Sequence, residues 1–209
     1  MKTVIQIVLV ILIIGLGYLC VDSIQRPIKF NKEHKLRSDA VIENLKDIRT
    51  AQVAYKSLYD KFTGSFDTLI DFVKHDSLKL VKKEGSLSDS LLEEGWTEEK
   101  ALKVGLIKRD TILVSVLDSL FGKEYYIDSL RYIPYTEDEV FAMGAGIVET
   151  GSGVKVQVFE AKVHNNVYLN GLEQQEIDNL SDKTLKLERY PGIKVGSLTE
   201  TNNNGGNWE

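Results

Sequence analysis

TVIQIVLVILIIGLGYLCV, running from Thr3 to Val21, decides how this chain is organised, because it carries no charged residue and a single polar amide at Gln6. At about 1.5 Å of rise per residue, a helix over these nineteen positions reaches about 28 Å. That is close to the roughly 30 Å hydrocarbon core of a bilayer, and a helix crosses it with every backbone group bonded internally. We read residues 1–22 as an uncleaved transmembrane anchor. A cleaved signal peptide is the competing reading, but its apolar region is about 7–15 residues long and ends in a small-x-small site. Gly15-Leu16-Gly17 is the one such triplet here, and a cut after it would halve a continuous run. Lipid modification of Cys20 is a third reading. Tyr18 and Leu19 precede that cysteine where a small residue is wanted, so a small apolar thiol inside a span describes it better.

Composition bounds the rest of the chain. Removing the anchor from 209 residues leaves about 185, enough for one sizeable core. With 26 Lys and Arg against 31 Asp and Glu the net charge is -5, and no basic face suited to nucleic acid stands out. A single cysteine excludes an intrachain disulfide and any cysteine-based zinc site. Charge near the anchor pulls in two directions. Lys2 precedes it, whereas Arg26, Lys29, Lys32, Lys35 and Arg37 lie beyond it, a bias that would keep the following domain in the cytoplasm. A minimal head before a long apolar run has instead the form of an export signal that was never cleaved, and we expect a domain on the periplasmic side of the inner membrane.

Pro27 removes a backbone donor and biases the residue before it away from the helical region, so residues 23–32 are expected to form a kinked juxtamembrane linker. The basic residues after it form a solvated collar or, on a cytoplasmic face, an anionic-lipid contact. From Glu33 to Lys61, apolar residues at Val41, Leu45, Ile48, Tyr55, Leu58 and Phe62, with Ala51 and Ala54 between, trace one stripe of 3.6-residue period. This predicts a long amphipathic stalk helix stopped at Phe62-Thr63-Gly64-Ser65. A short helix comes next, capped by Ser65 or Asp67, with Leu69, Ile70 and Val73 inward.

The residues Ile48-Arg49-Thr50-Ala51-Gln52-Val53-Ala54-Tyr55, then Tyr59-x-x-Phe62-Thr63-Gly64-Ser65-Phe66-x-x-Leu69, behind an anchor and a proline, resemble type IV pilins and type II secretion pseudopilins over roughly residues 1 to 75. The resemblance implies a non-enzymatic subunit of a membrane assembly. Two departures bear on it: no Gly-Phe processing site precedes the apolar run, and Gln6 stands where the family places an early glutamate. The first removes the peptidase site, the second the charge that sets the family's assembly register. The whole chain is also similar to uncharacterised single-pass proteins of the Bacteroidota, a resemblance that implies no function.

Beyond His75 the period changes. Leu78 to Val81 reads as a strand, Gly85 to Asp89 as a turn, and Leu91 to Leu102 as a helix with a capping region at Trp96-Thr97-Glu98-Glu99 and an end near Gly105. Strands are expected at Thr111–Val116, Ile127–Tyr135, Phe141–Glu149 and Val154–Val163, the last two joined as a hairpin. A helix over Leu169–Leu187 would bury Leu172, Ile177, Leu180 and Leu187. The expected fold class is α+β: a transmembrane helix, then residues 33–198 as one domain with the stalk helix on a small antiparallel sheet and an additional C-terminal helix. Residues 199–209 have little apolar content and are expected to be a flexible polar tail.

No stretch carries a catalytic signature. Gly144-Ala-Gly146 opens like a dinucleotide fingerprint, but Glu149 stands at the third glycine position and would repel a pyrophosphate. Gly146 to Gly151 has P-loop spacing without its lysine. Both read better as hairpin glycines. Neither Gly-x-Ser-x-Gly nor His-Glu-x-x-His occurs, and Glu93-Glu94 with Glu98-Glu99 reads as a solvated helix face. Four Asp-Ser-Leu tripeptides, at Asp76, Asp89, Asp118 and Asp128, are unequally spaced and fit turns. We expect no enzyme activity and no cofactor. The expected partners are the bilayer, through Thr3–Val21, and membrane or envelope proteins, with Ile48, Tyr55, Trp96 and Tyr132 as interaction residues. The alternative is a membrane-tethered module binding a ligand, peptide or glycan through Trp96, Tyr125, Tyr126, Tyr132 and Tyr135.

Overall fold

A computed structural model describes residues 2–85, 91 and 95–209. One helix, α1, runs from Lys2–Tyr59 without interruption. Its first half is bare: Ile7, Leu12, Ile14, Leu19, Ile24 and Ile28 are all more than half exposed. By length and composition it can cross a membrane. Burial begins at Phe30 and continues at Val41, Leu45, Ile48, Ala51, Ala54 and Tyr55, the stripe expected for the stalk, except that Leu58, one position before the helix ends, is 41% exposed. Residues 23–32 are therefore helical, and the expected linker does not separate two helices. Pro27 leaves the Ser23 carbonyl without its donor, but Ser23 is exposed and water or a polar neighbour can serve it. The cost of an internal proline, about 3 kcal/mol, is matched by burying one or two of the large side chains from Phe30 onward, each worth about 1.5–3 kcal/mol.

The helix stops at Asp60, whose φ of 55° is left-handed and whose N–H bonds the Lys56 carbonyl at 2.9 Å. Gly64, the expected stop, does something else. A Cβ there would lie 3.1 Å from the Ala145 nitrogen, so glycine lets this loop approach a strand closely. Helix α2, Phe66–His75, then buries Leu69, Ile70, Phe72 and Val73 against α1, with the Phe72 ring edge-on to Tyr55 at 5.2 Å.

Strands β1 (Ser77–Glu84) and β2 (Lys108–Ser115) form an antiparallel pair registered from Ser77↔Ser115 to Glu84↔Lys108. Between them lies α3, Glu98–Val104, capped by Thr97, whose hydroxyl accepts from the Lys100 N–H, and ended by left-handed Gly105. The expected turn beyond Gly85 and the start of the helix before Gly95 fall almost wholly outside the described residues. At Val116 the β-branched run turns into α4, Val116–Leu120, because the Val116 N–H bonds back to the Asp76 carbonyl and the side chain is buried.

The segment expected as a strand at Ile127–Tyr135 is instead a 3-10 helix, Ile127–Arg131. Ile127 and Leu130 are its buried residues and Ile133, just beyond it, is buried too; that spacing of three is the period of a 3-10 turn and not the two of a strand. The hairpin forms as β3 (Ala142–Glu149) and β4 (Lys155–His164), in register from Ala142↔Lys162 to Glu149↔Lys155.

Of the expected helix over Leu169–Leu187 the part Gln174–Lys186 forms, as α6; a separate short helix that was not expected, α5 (Asn165–Tyr168), precedes it, and a turn through Gly171 at φ 84° joins the two. Ile177 is buried in α6, whereas Leu187 is 61% exposed. A third strand, β5 (Gly192–Gly196), pairs antiparallel with β4 and lies along α1. No sequence signal anticipated it. Gly196 has a φ of 72°, and a Cβ there would meet the Phe159 carbonyl oxygen at 2.1 Å, so glycine is required at this crossing.

The C-terminal residues do not form a flexible tail. Gly206 bridges to Val195, the Asn207 side chain accepts from the Lys194 N–H at 3.0 Å and donates to the Gly192 carbonyl at 2.9 Å, and Glu209 pairs with Arg49 at 2.6 Å. Two backbone bonds to β5, from Gly196 N–H to the Gly205 carbonyl and from Asn207 N–H to the Lys194 carbonyl, each 3.0 Å, are extended by the Asn207 amide, and Trp208 packs on the core. The described fold is thus α+β, a long N-terminal helix with one two-stranded and one three-stranded antiparallel sheet.

Candidate functional site

The most built region of polar chemistry lies where α1 passes from its bare half into its buried half. Phe30 and His34 stack with ring centroids 5.8 Å apart, and His34 leans on the buried ring of Tyr168 at 6.4 Å. Burial lowers the His34 pKa below the ordinary imidazole value, because a charged ring would lose its hydration there. One turn on, Arg37 donates to the carbonyls of Tyr168 at 3.2 Å and Asn170 at 2.9 Å and lies 5.5 Å from the centre of the Tyr135 ring. Of the basic residues after the anchor, Arg37 therefore belongs to the domain, while Lys29, Lys32 and Lys35 remain exposed.

Behind this junction is a closed polar triad. Tyr168 donates to Asn165 at 3.2 Å and Asn165 donates to the Ser181 hydroxyl at 3.1 Å, fixing α5 against α6. In front of it, Arg26 pairs with Asp22 at 2.6 Å and reaches Glu173 at 3.7 Å, so the turn before α6 is latched to α1 at the level of Pro27.

The four expected interaction residues do not converge. Ile48 is completely buried and Tyr55 nearly so, and both serve the core, which closes them to a partner. A stripe that faces its own sheet and one that faces an assembly have the same spacing in sequence. Trp96 is half-buried just ahead of the α3 cap. Tyr132 is 42% exposed, bridges to Val140, and accepts at its carbonyl from the Asn44 side chain at 3.3 Å. Of the other tyrosines, Tyr126 and Tyr135 are exposed, whereas Tyr125 donates to Asp47 at 2.6 Å and ties its loop to α1. Burial first, then this bond to a carboxylate, pushes the Tyr125 pKa well above the usual phenol value.

Gln52 carries a role that sequence reasoning passed over. Fully buried, it donates to the Thr63 carbonyl at 2.6 Å and accepts from the Thr63 N–H at 3.1 Å, holding the loop after α1 as a neighbouring strand would. An amide on an otherwise apolar stripe, three positions before Tyr55, was the available signal.

Gly144 and Gly146 stand inside β3, opposite Glu160 and Val158, with Leu198 over them, which makes them strand glycines. The Asp-Ser-Leu tripeptides have separate uses: Asp76 accepts from Tyr59 and Asp128 pairs with Lys74. Among the described residues no three His, Cys, Asp or Glu side chains are grouped to hold a metal ion. Several open clefts lie among the described residues. One of about 630 Å³ lies between Val53, Ala54, Leu78 and Leu120; one of about 680 Å³ is lined by Tyr135, Glu137, Asp138, Glu139 and Asn166; one of about 260 Å³ sits beside Arg26 and Gly171. No family model, curated protein or solved structure matches this chain.

Proposed function

We propose that this chain is a non-enzymatic, single-pass membrane protein of the cell envelope, a pilin-like or scaffold subunit that holds a small α+β domain against membrane partners. One observation carries the reading: a single helix, Lys2–Tyr59, is bare and apolar in its first half and forms the centre of a folded domain in its second. A helix of that kind transmits position directly, because the domain cannot reorient about a loop between anchor and core. The same division of labour, a span followed by a helix built into the domain, is what the resemblance to pilins and pseudopilins implies. The domain lies on the periplasmic side in this reading, and the subunit needs no cofactor.

Crosslinking in living cells tests it. Photoreactive residues at exposed Val53 and Tyr126 should yield adducts with envelope-machinery proteins. A reporter active only outside the cytoplasm, fused after Glu209, should be active. Activity of a cytoplasm-only reporter would overturn the orientation. A second reading, a tethered ligand-binding module, is favoured by the exposed rings of Tyr126, Tyr132 and Tyr135. It predicts a soluble ligand retained by the domain alone and no adducts.

A further inference from the structure

We propose that the cleft between α1 and the turn before α6 binds the headgroup of a zwitterionic phospholipid, one bearing a phosphate and a primary ammonium. The proposal rests on Thr3–Val21 being a membrane span. Given that span, helix geometry sets the depth: Arg26 lies five residues beyond Val21, about 7.5 Å along the axis. The headgroup layer on each side of the hydrocarbon core is about 5–8 Å thick, so Arg26 lies within it. Lys29 is one turn further out, and a lysine there reaches back toward the phosphates on its long apolar stem.

The domain comes down to the same depth, because Glu173 approaches Arg26 at 3.7 Å and so brings the turn Gly171–Glu173 to the level of the headgroups. The open cleft between them measures about 260 Å³, and its lining includes Arg26, Lys29, Phe30, Glu33, Leu172 and Glu173. That is somewhat below the 300–1,000 Å³ or so typical of pockets for whole drug-sized ligands, a size suited to a headgroup whose acyl chains stay in the bilayer.

The lining selects the charge pattern. Two cations suit a phosphate, and Lys29 makes no ion pair or hydrogen bond among the described residues. Arg26 is engaged through Nε with Asp22 and through Nη1 with Glu173, which leaves its other terminal nitrogen. Two carboxylates, Glu33 and Glu173, disfavour a headgroup that is only anionic and suit an ammonium beside the phosphate. The ammonium should be a primary one. A quaternary ammonium is recognised by a cage of exposed aromatic faces, and the one ring here, Phe30, is 7% exposed and stacked on His34. Carboxylate oxygens instead accept hydrogen bonds from N–H groups.

The test uses the full chain in micelles of an uncharged detergent, read by the amide NMR signals of Gly171 and Leu172. Titration with dihexanoyl-phosphatidylethanolamine should move both signals saturably, and dihexanoyl-phosphatidylglycerol should bind at least about tenfold more weakly. Lys29→Gln and Glu33→Gln, both exposed positions, should each weaken the ethanolamine lipid about tenfold, the usual value of one charge-assisted hydrogen bond, with melting unchanged. Equal response to the two lipids, or no saturable shift, overturns the proposal. Soluble O-phosphoethanolamine binding as tightly as the lipid overturns the assignment to a bilayer source. Extraction of cell membranes at alkaline pH separates this from the reading beneath it. A chain released into the supernatant removes the span and the lipid site together, whereas a chain retained in the membrane but silent in the titration removes the lipid site alone.

Discussion

Gln52 and His34 show how single polar side chains set conditions on an otherwise apolar helix. Removing the Gln52 side chain strands both backbone groups of Thr63 against a buried surface, and an unsatisfied buried group costs about 1–3 kcal/mol. Gln52→Ala should therefore lower stability by about 2–3 kcal/mol in urea denaturation and speed hydrogen exchange at Thr63. Loss of stability without faster exchange at that amide would mean that the amide acts by packing alone. His34 makes stability depend on pH. Its folded pKa lies below its unfolded value near 6.5, so the unfolded chain binds the proton more readily. The stabilising contribution is complete above about pH 7 and is lost as pH falls through about 6.5 toward the lower folded value. Urea midpoints should drop between about pH 7 and 5. In His34→Leu that part of the slope should vanish, and an unchanged slope would assign it to other groups.

At the scale of elements, the buried half of α1, α2 and the β3–β4 hairpin were legible because each has one strong sequence signal: the Val41-to-Tyr55 stripe, the inward Leu69, Ile70 and Val73, and the alternating Val154, Val156 and Val158, whereas the continuity of α1 through Pro27 was not. Three elements were not legible, each for a different physical reason. Ile127, Leu130 and Ile133 carry a period of three inside a β-prone composition, and Pro134 comes directly after them. Strand β5 is five residues with a glycine at each end, too short to alternate visibly, and exists because β4 offers it an edge. The C-terminal residues look disordered by composition, yet Asn207 and Trp208 bind them to β5 and the core. Ile48 and Tyr55, two of the four candidate interaction residues, lie in the core for a related reason: periodicity reports that a side chain faces something apolar, not whether it belongs to another molecule. Since that surface is the protein's own core, Ile48→Asp should cost about 4 kcal/mol or more and leave no folded domain by circular dichroism, roughly the loss of a buried aliphatic chain plus a buried unpaired charge. A mutant that melts like its parent would show that α1 packs elsewhere.

At the scale of the whole molecule, the question is where the anchor ends and the domain begins. Every described large apolar side chain from Ile7 to Ile28 is more than half exposed, whereas Phe30 is 7% exposed, so none of those side chains adds to the core. A protein beginning at Phe30 should be soluble, monomeric and cooperatively folded. Beginning at Val41 instead would remove the Phe30–His34 stack and the two Arg37 hydrogen bonds that hold the Tyr168–Asn170 turn. One buried aromatic and those bonds are worth about 3–5 kcal/mol together, a large part of the 5–15 kcal/mol or so that stabilises a domain. Thermal melting of the two truncations therefore tests both boundaries at once. The longer should show one sharp transition, and the shorter should melt about 6–20 °C lower, at roughly 2–4 °C per kcal/mol for a domain of this size. If the longer protein does not fold, the anchor contributes to the core and the division at Phe30 is wrong. If the two melt alike, the junction residues stabilise the position of the domain on the membrane and not the domain itself.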